Sequence, residues 1–295
     1  MGEKFCQYIS ELAIKSMLYE VSATPKPGLV DRNNAGAHQD MDYYSFMASS
    51  AALGHTFYQC ALEGLYFYKK DFTLLLDALR PIGIEGERKM FEATGGVNTH
   101  KGLIFSLGMI AAAAGTIDSE GLASEINAKK ICQRVMEITK GISNRELGKN
   151  HQKQPITYGE RLFEKYGIKG IRGEIESGFI TVRRYGLPMM KKLKKEKNIP
   201  INDICVQVLL HLMTVTEDSN VLGRHNLNTL GYVQDAAKKV LRMGGIFTKE
   251  GRKNILDLDE VFIERNISPG GAADLLAITI MLFFLDEGKQ EVYKG

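Results

Sequence analysis

The sequence predicts an all-α fold, a single multi-helix globular bundle over residues 1–295, with functional loops gathered at one pocket. Three observations predict it. Apolar residues recur at helical spacing along most of the chain, as in the stripe of Phe5, Ile9, Leu12, Leu18 and Val21. No segment alternates polar and apolar residues with an Asn-Gly or Asp-Gly turn between two such runs. The apolar fraction of 44% and charged fraction of 25% are those of an ordinary folded chain, long enough to bury a large core without staples.

Taken in order, the periodicity predicts helices over the first twenty or so residues, over 43–69 as one or two helices, and over 72–92, 101–115, 119–140 and 157–166. It continues with 181–197, 201–215, 227–243, 257–265 and 271–286. The stretches Leu103–Ala114 and Ala272–Leu285 are almost wholly apolar. Both are shorter than the roughly 18 residues a membrane span needs, and Asp274 interrupts the second, so they read as buried central helices. The polar, aperiodic segment 141–156 reads as a mobile loop or lid.

Charge and cysteine usage exclude several classes of function. The N-terminus carries charges throughout and is not a secretory signal. Cys6, Cys60, Cys132 and Cys205 are scattered with no C-x-x-C spacing, which fits free thiols in a reducing compartment, the cytoplasm. A net charge of +3 is small for a nucleic-acid binder. The lysines of KKLKKEK, 191–197, have no interleaved aromatics and read as a solvated helix face. Neither nucleic acid nor membrane is expected as a partner.

Five segments carry the chemistry. In KPGLVDRNNAGAHQDMD, 26–42, Pro25, Pro27 and Gly28 force an extended turn, and Asp31, Arg32, His38, Asp40 and Asp42 follow within twelve residues. Asp42 reads as the cap of the next helix, but capping does not account for Arg32 and His38, which point to a phosphate or a metal. In GGVNTHKGLIFSLG, 95–108, Asn98 or Thr99 caps a helix starting near His100, and Lys101 adds a full charge to an anion-binding helix start. The Walker A pattern does not fit there. In KYGIKGIRGEIESGF, 165–179, Gly167, Gly170 and Gly173 permit close backbone approach, beside Arg172 and Glu174 as a fork donor and a carboxylate. A surface salt bridge explains that pair equally well. In EDSNVLGRH, 217–225, Glu217 and Asp218 are adjacent carboxylates suited to magnesium or to general-base work, with Asn220 and Arg224 close by. In ISPGGAADLLAITIMLFFL, 267–285, Ser268 reads as the cap, Pro269 as the first helical residue, and Asp274 as an acid near the start of a buried helix, facing the site.

In this order the five segments resemble the triphosphoribosyl-dephospho-CoA synthase family, of the CitG and MdcB type, from about residue 20 to residue 286. The N-T-H-K-G, E-D-S-N and S-P-G-G-x-A-D-L-L stretches carry the likeness. The chain departs from the family at His225 and Asn226, where glycine is common, and at Ile175, where a small residue is common. The resemblance implies a transferase that joins the ribose of ATP to the 2′-hydroxyl of 3′-dephospho-CoA, expels adenine and keeps the triphosphate. Its product is the prosthetic-group precursor for the acyl carrier protein of citrate lyase or malonate decarboxylase, which a separate holo-acyl-carrier transferase attaches.

On that reading the triphosphate falls to Arg32, Asn98, Thr99, Lys101, Arg172, Glu174, Asn220, Arg224, Ser268, Gly270 and Gly271. Magnesium (Mg2+) falls to Glu217 and Asp218 with Asp274. Asp31 or Asp40 is the candidate base, and His38 or His100 the candidate donor to the purine. Two alternatives use the same residues: a magnesium-dependent hydrolase of a nucleotide or ribosyl bond, and a non-catalytic ATP-sensing module.

Overall fold

A computed structural model describes residues 2–147 and 158–288, and among them the regular elements are all helical. In chain order these are α1 (Gly2–Ser22), α2 (Tyr43–Ala52), α3 (Gly54–Tyr66), α4 (Leu75–Ala93) and α5 (Lys101–Ser119). Next come α6 (Ala128–Thr139), α7 (Ile142–Leu147), α8 (Tyr158–Tyr166), α9 (Gly170–Glu176) and α10 (Leu187–Lys195). The last are α11 (Ile201–Met213), α12 (Ser219–Arg224), α13 (Leu227–Arg242), α14 (Lys249–Glu264) and α15 (Gly270–Glu287). Contacts group the chain into two compact units: Met1–Tyr19, Tyr44–Lys140 and Ala277–Gly295 form the first, and Glu20–Tyr43 with Gly141–Leu276 the second.

In the first unit α5 is the central helix. It is apolar all round, from Leu103 to Ile117, which is the pattern of a helix covered on every side. It is long and apolar enough to cross a membrane by composition alone, yet 78% of its apolar window is buried within the protein. Its alanines and glycines let α3 approach to backbone contact. A Cβ on Gly64 would lie 2.1 Å from the Ala112 carbonyl oxygen, and one on Gly115 would lie 2.0 Å from that of Ala61.

In the second unit α11 is the apolar centre, buried from Ile204 to Leu210 and packed against α10 and α13. The helices around it start at side-chain caps. Asn226 accepts from Thr229 N at the head of α13, and Thr248 from Gly251 N at the head of α14. The Thr248 cap explains why α14 begins at Lys249 rather than at the predicted 257. Similarly, Gly121, at φ +74°, follows the end of α5, and Asn127 caps α6, so the predicted run 119–140 is split. Of the segment 141–156, Ile142–Leu147 is the short helix α7, with Ile142 and Leu147 buried, while 148–156 lies outside the described residues.

Candidate active site

The second unit gathers most of the residues singled out from the sequence. Its organising feature is the turn between α1 and α2. Asp31 is buried, and both carboxylate oxygens are engaged: Oδ1 accepts from Asn33 N (2.6 Å) and Asn34 N (3.2 Å), and Oδ2 from Thr24 Oγ1 (2.6 Å) and Lys26 N (2.9 Å). The same turn is pinned from α14 by Asp259, which accepts from Gly28 N and Asn34 Nδ2, each at 2.8 Å. From α11, Asn202 exchanges two hydrogen bonds with the Thr24 backbone and accepts from Arg32 Nη2 at 3.1 Å. Gly28 is required at its place. Its φ is +69°, and a Cβ there would lie 2.2 Å from the Ile267 carbonyl oxygen.

Beneath this turn lies a buried ion pair. Lys26 is 1% exposed and Glu20 3%. The lysine Nζ donates to the Glu20 carboxylate and, at 2.9 Å, to the Glu20 carbonyl near the end of α1. Burial pushes the Glu20 pKa up, and the Lys26 charge opposes that rise.

Further along the turn, His38 meets three partners. Its Nε2 is 2.9 Å from Ser268 Oγ, its Nδ1 is 3.2 Å from Arg224 Nη2, and Asp40 Oδ1 is 3.8 Å from Nδ1. Arg224 also donates through Nη1 to the Ala37 carbonyl and to Asn266 Oδ1, each at 2.9 Å. Desolvation, then the Arg224 charge, lowers the His38 pKa to about 4, with Asp40 opposing. The imidazole is therefore neutral at physiological pH. Arg224 Nη2 is also 3.5 Å from Nε2, so the guanidinium lies against both ring nitrogens while Nε2 shares its hydrogen bond with Ser268.

Asp218 joins two helix starts. Its Oδ1 accepts from Asn220 N (2.9 Å) and Val221 N (3.2 Å) at the head of α12, and its Oδ2 from Ala272 N (2.9 Å) in the first turn of α15. The expected Ser268 cap is thereby corrected. Pro269 lends its carbonyl to Ala272 N and Ala273 N, α15 begins at Gly270, and Ser268 Oγ is turned to His38 while Asp218 supplies the cap from a distance. Two glycines make room for this: a Cβ on Gly271 would lie 3.0 Å from the Asp218 carboxyl, and one on Gly270 would lie 2.6 Å from Asn220 Nδ2. Burial raises the Asp218 pKa, against the backbone N–H groups that favour its charge. Asp274, half-buried one turn further along α15, is pushed well above the ordinary carboxylate range by desolvation, then by Glu20 and Asp218.

The glycine-rich segment packs beside the start of α12. A Cβ on Gly170 would lie 3.8 Å from Ser219 Cβ, and Tyr158 on α8 donates to the Ser219 carbonyl at 3.0 Å. Arg172 Nε donates to Glu146 at 2.5 Å. Glu174 accepts from Thr181 N (3.2 Å) and from Thr181 Oγ1. Its pKa is raised by desolvation, with Thr181 opposing and the exposed Glu217 adding to it.

The remaining residues read from the sequence lie in the first unit. Asn98 Oδ1 accepts from Lys101 N at 3.2 Å at the head of α5, and Lys101 Nζ pairs with Glu87 at 2.8 Å while remaining half exposed. Thr99 Oγ1 is buried without a hydrogen-bond partner. His100 is 1% exposed, with Nδ1 2.7 Å from Ser49 Oγ and its ring edge-on to Phe46.

Residues the sequence reading passed over are Glu20, Lys26, Asn202, Asp259 and Asn266. A signal existed for two of them. Glu20 continues the buried α1 stripe of Ala13 and Met17, and Asp259 interrupts the α14 stripe of Ile255, Leu258 and Phe262, so each is a carboxylate on a helix face meant for apolar groups.

Comparison with known proteins decides what these residues belong to. The profile of the CitG family, ATP:dephospho-CoA triphosphoribosyl transferase, matches residues 6–292. The chain belongs to this family. A 2-(5''-triphosphoribosyl)-3'-dephosphocoenzyme-A synthase of Klebsiella pneumoniae is 40% identical over 268 residues, 91% of this chain and 87% of its own. The synthase of the same name from Escherichia fergusonii is 39% identical over 95% of this chain and 92% of its own. One from Photobacterium profundum, named as a probable synthase, is 39% identical over 95% of this chain and 88% of its own. No solved structure matches the chain. As a member of the ATP:dephospho-CoA triphosphoribosyl transferase family the chain is an enzyme of all-α fold.

Proposed function

We propose that the chain transfers the triphosphoribosyl group of ATP to the 2′-hydroxyl of 3′-dephospho-CoA with release of adenine, in the cytoplasm. The product serves as the prosthetic-group precursor for the acyl carrier protein of citrate lyase or malonate decarboxylase, and a separate transferase attaches it. The observation that carries this reading is the 40% identity to the Klebsiella synthase across 91% of the chain.

In this reaction the ribose C1′–N9 bond breaks with its electron pair going to adenine, and the acceptor oxygen bonds to C1′. The transition state carries oxocarbenium character on the ribose. One proton leaves the 2′-hydroxyl and one reaches the purine. Asp40, 65% exposed and beside His38, is the base of this proposal, since both Asp31 oxygens are occupied in holding the turn. His38 is the donor to adenine, since it shares that loop with Asp40.

The triphosphate is assigned to Arg32, Arg172, Asn220, Arg224, Ser268 and the backbone of Gly270 and Gly271, with Glu174 ordering the turn through Thr181. In the first unit Asn98, Thr99 and Lys101 form an anion-binding helix start for a substrate phosphate. Magnesium enters as part of the substrate, Mg·ATP, with the exposed Glu217 and, beside it, Asp218 and Asp274 as the carboxylates assigned to meet it.

The test is free adenine, followed by chromatography with Mg·ATP present and dephospho-CoA added or withheld. Release that requires dephospho-CoA supports the transferase. Release without it overturns this reading in favour of a hydrolase. Asp40→Asn should fold normally and lower kcat by about 100-fold or more.

A further inference from the structure

Arg224 Nη2 lies 3.2 Å from Nδ1 of His38 and 3.5 Å from Nε2, so a positive charge sits against both ring nitrogens and opposes a second positive charge on the imidazole. A protonated imidazole has N–H on both nitrogens and must turn Nδ1–H elsewhere. Asp40 Oδ1, 3.8 Å away, is the acceptor in reach, while Nε2–H keeps Ser268 Oγ at 2.9 Å. The charged groups facing the ring are Arg224 from α12 and Asp40 from its own loop, and the segment leading into α15 faces it with the uncharged Ser268. Arg224 is solvent-exposed, so a phosphate can reach its guanidinium.

We infer that Arg224 is a positioning residue that keeps the His38 ring neutral until a substrate phosphate engages the guanidinium, whereupon His38 gains the proton it passes to the departing purine. This rests on the assignment of Arg224 to the triphosphate. An anion at Arg224 cancels the positive field on the ring and draws the guanidinium outward, and both effects favour the imidazolium. The proton comes from solvent on binding. It leaves with adenine, and the proton that Asp40 takes from the acceptor hydroxyl can return to the ring across the short gap between them. On product release Arg224 settles back against the ring, which returns that proton to solvent, so each turnover restores the starting protonation state.

The experiment is a proton NMR titration of the His38 ring in the full chain, with and without saturating inorganic tripolyphosphate, the resonance being assigned by its loss in His38→Asn. Tripolyphosphate should raise the His38 midpoint by about 1–2 pH units. Calorimetry in buffers of different ionisation enthalpy should show net proton uptake on binding. Arg224→Gln should raise the midpoint without anion and abolish the response to it, and should displace the acid limb of the kcat profile, which a purely structural defect would leave in place. If tripolyphosphate binds and the wild-type midpoint stays put without proton uptake, the inference is overturned while the phosphate assignment survives. If tripolyphosphate fails to bind at all, that assignment falls and the inference with it. The wild-type arms decide the matter whether or not Arg224→Gln folds.

Discussion

Several carboxyl groups of the second unit are kept at elevated pKa by burial, each for a visible reason. Glu20 answers Lys26, Asp218 caps two helices, Asp259 pins the turn at Gly28, and Asp274 heads α15. The folded chain holds these protons more tightly than the unfolded chain does. Their contribution to stability is therefore full below the ordinary carboxylate pKa and is lost as pH rises through the elevated folded values. Asp274→Asn removes one such group without changing its shape. The variant should be more stable than wild type at mildly alkaline pH by about 0.5–2 kcal/mol, while its turnover falls. Thermal melts across pH check the first part and initial rates the second. Asp218→Asn should do the reverse. An amide presents N–H to backbone N–H groups of α12 or α15 that now find an acceptor, so a loss of about 2–3 kcal/mol is expected in denaturant unfolding. Asp31, His38, Asp218 and Arg224 stood out as candidates from residue type and clustering, and the second unit holds all four. That Asp31 and Asp218 act through backbone N–H groups was not legible, because a carboxylate's partners depend on which distant turn folds against it.

At the scale of the element, the long helices were readable and the short ones were not. Buried α5 and α11 announce themselves by continuous apolar sequence, and α13 by its stripe of Leu230, Val233, Ala237 and Val240. Helices α7, α9 and α12 span only six or seven residues, less than two turns, which is too short for a period to show. Gly170 and Gly173 gave α9 the composition of a loop, although Gly173 is helical. The glycine contacts are the sharper test of packing. Gly115→Ala raises helix propensity in isolation, yet its Cβ would meet the Ala61 carbonyl. The variant should be destabilised by about 1–3 kcal/mol, measured by thermal or urea unfolding. Gly271→Ala places a methyl against the Asp218 carboxyl and should weaken catalysis more than folding, as read by kcat at matched temperature.

For the whole molecule, fold class and family follow from features spread along the entire chain. Helical periodicity and the absence of alternating segments sufficed for the all-α assignment, and the order of the motif segments for the resemblance that the relatives bear out. Of the boundaries between the two units, that at Gly141 falls where the polar, aperiodic segment 141–156 begins, while the others fall inside α1, α2 and α15, where no linker or change of composition marks them. The measurement that bears most directly on function is the mass and nuclear magnetic resonance spectrum of the coenzyme product formed from Mg·ATP and dephospho-CoA. The expected product is dephospho-CoA extended at its 2′-hydroxyl by a ribose that still carries all of its phosphates, formed in equal amount with adenine. Unmodified dephospho-CoA accompanied by free ribose triphosphate, or by ATP left intact, would contradict it.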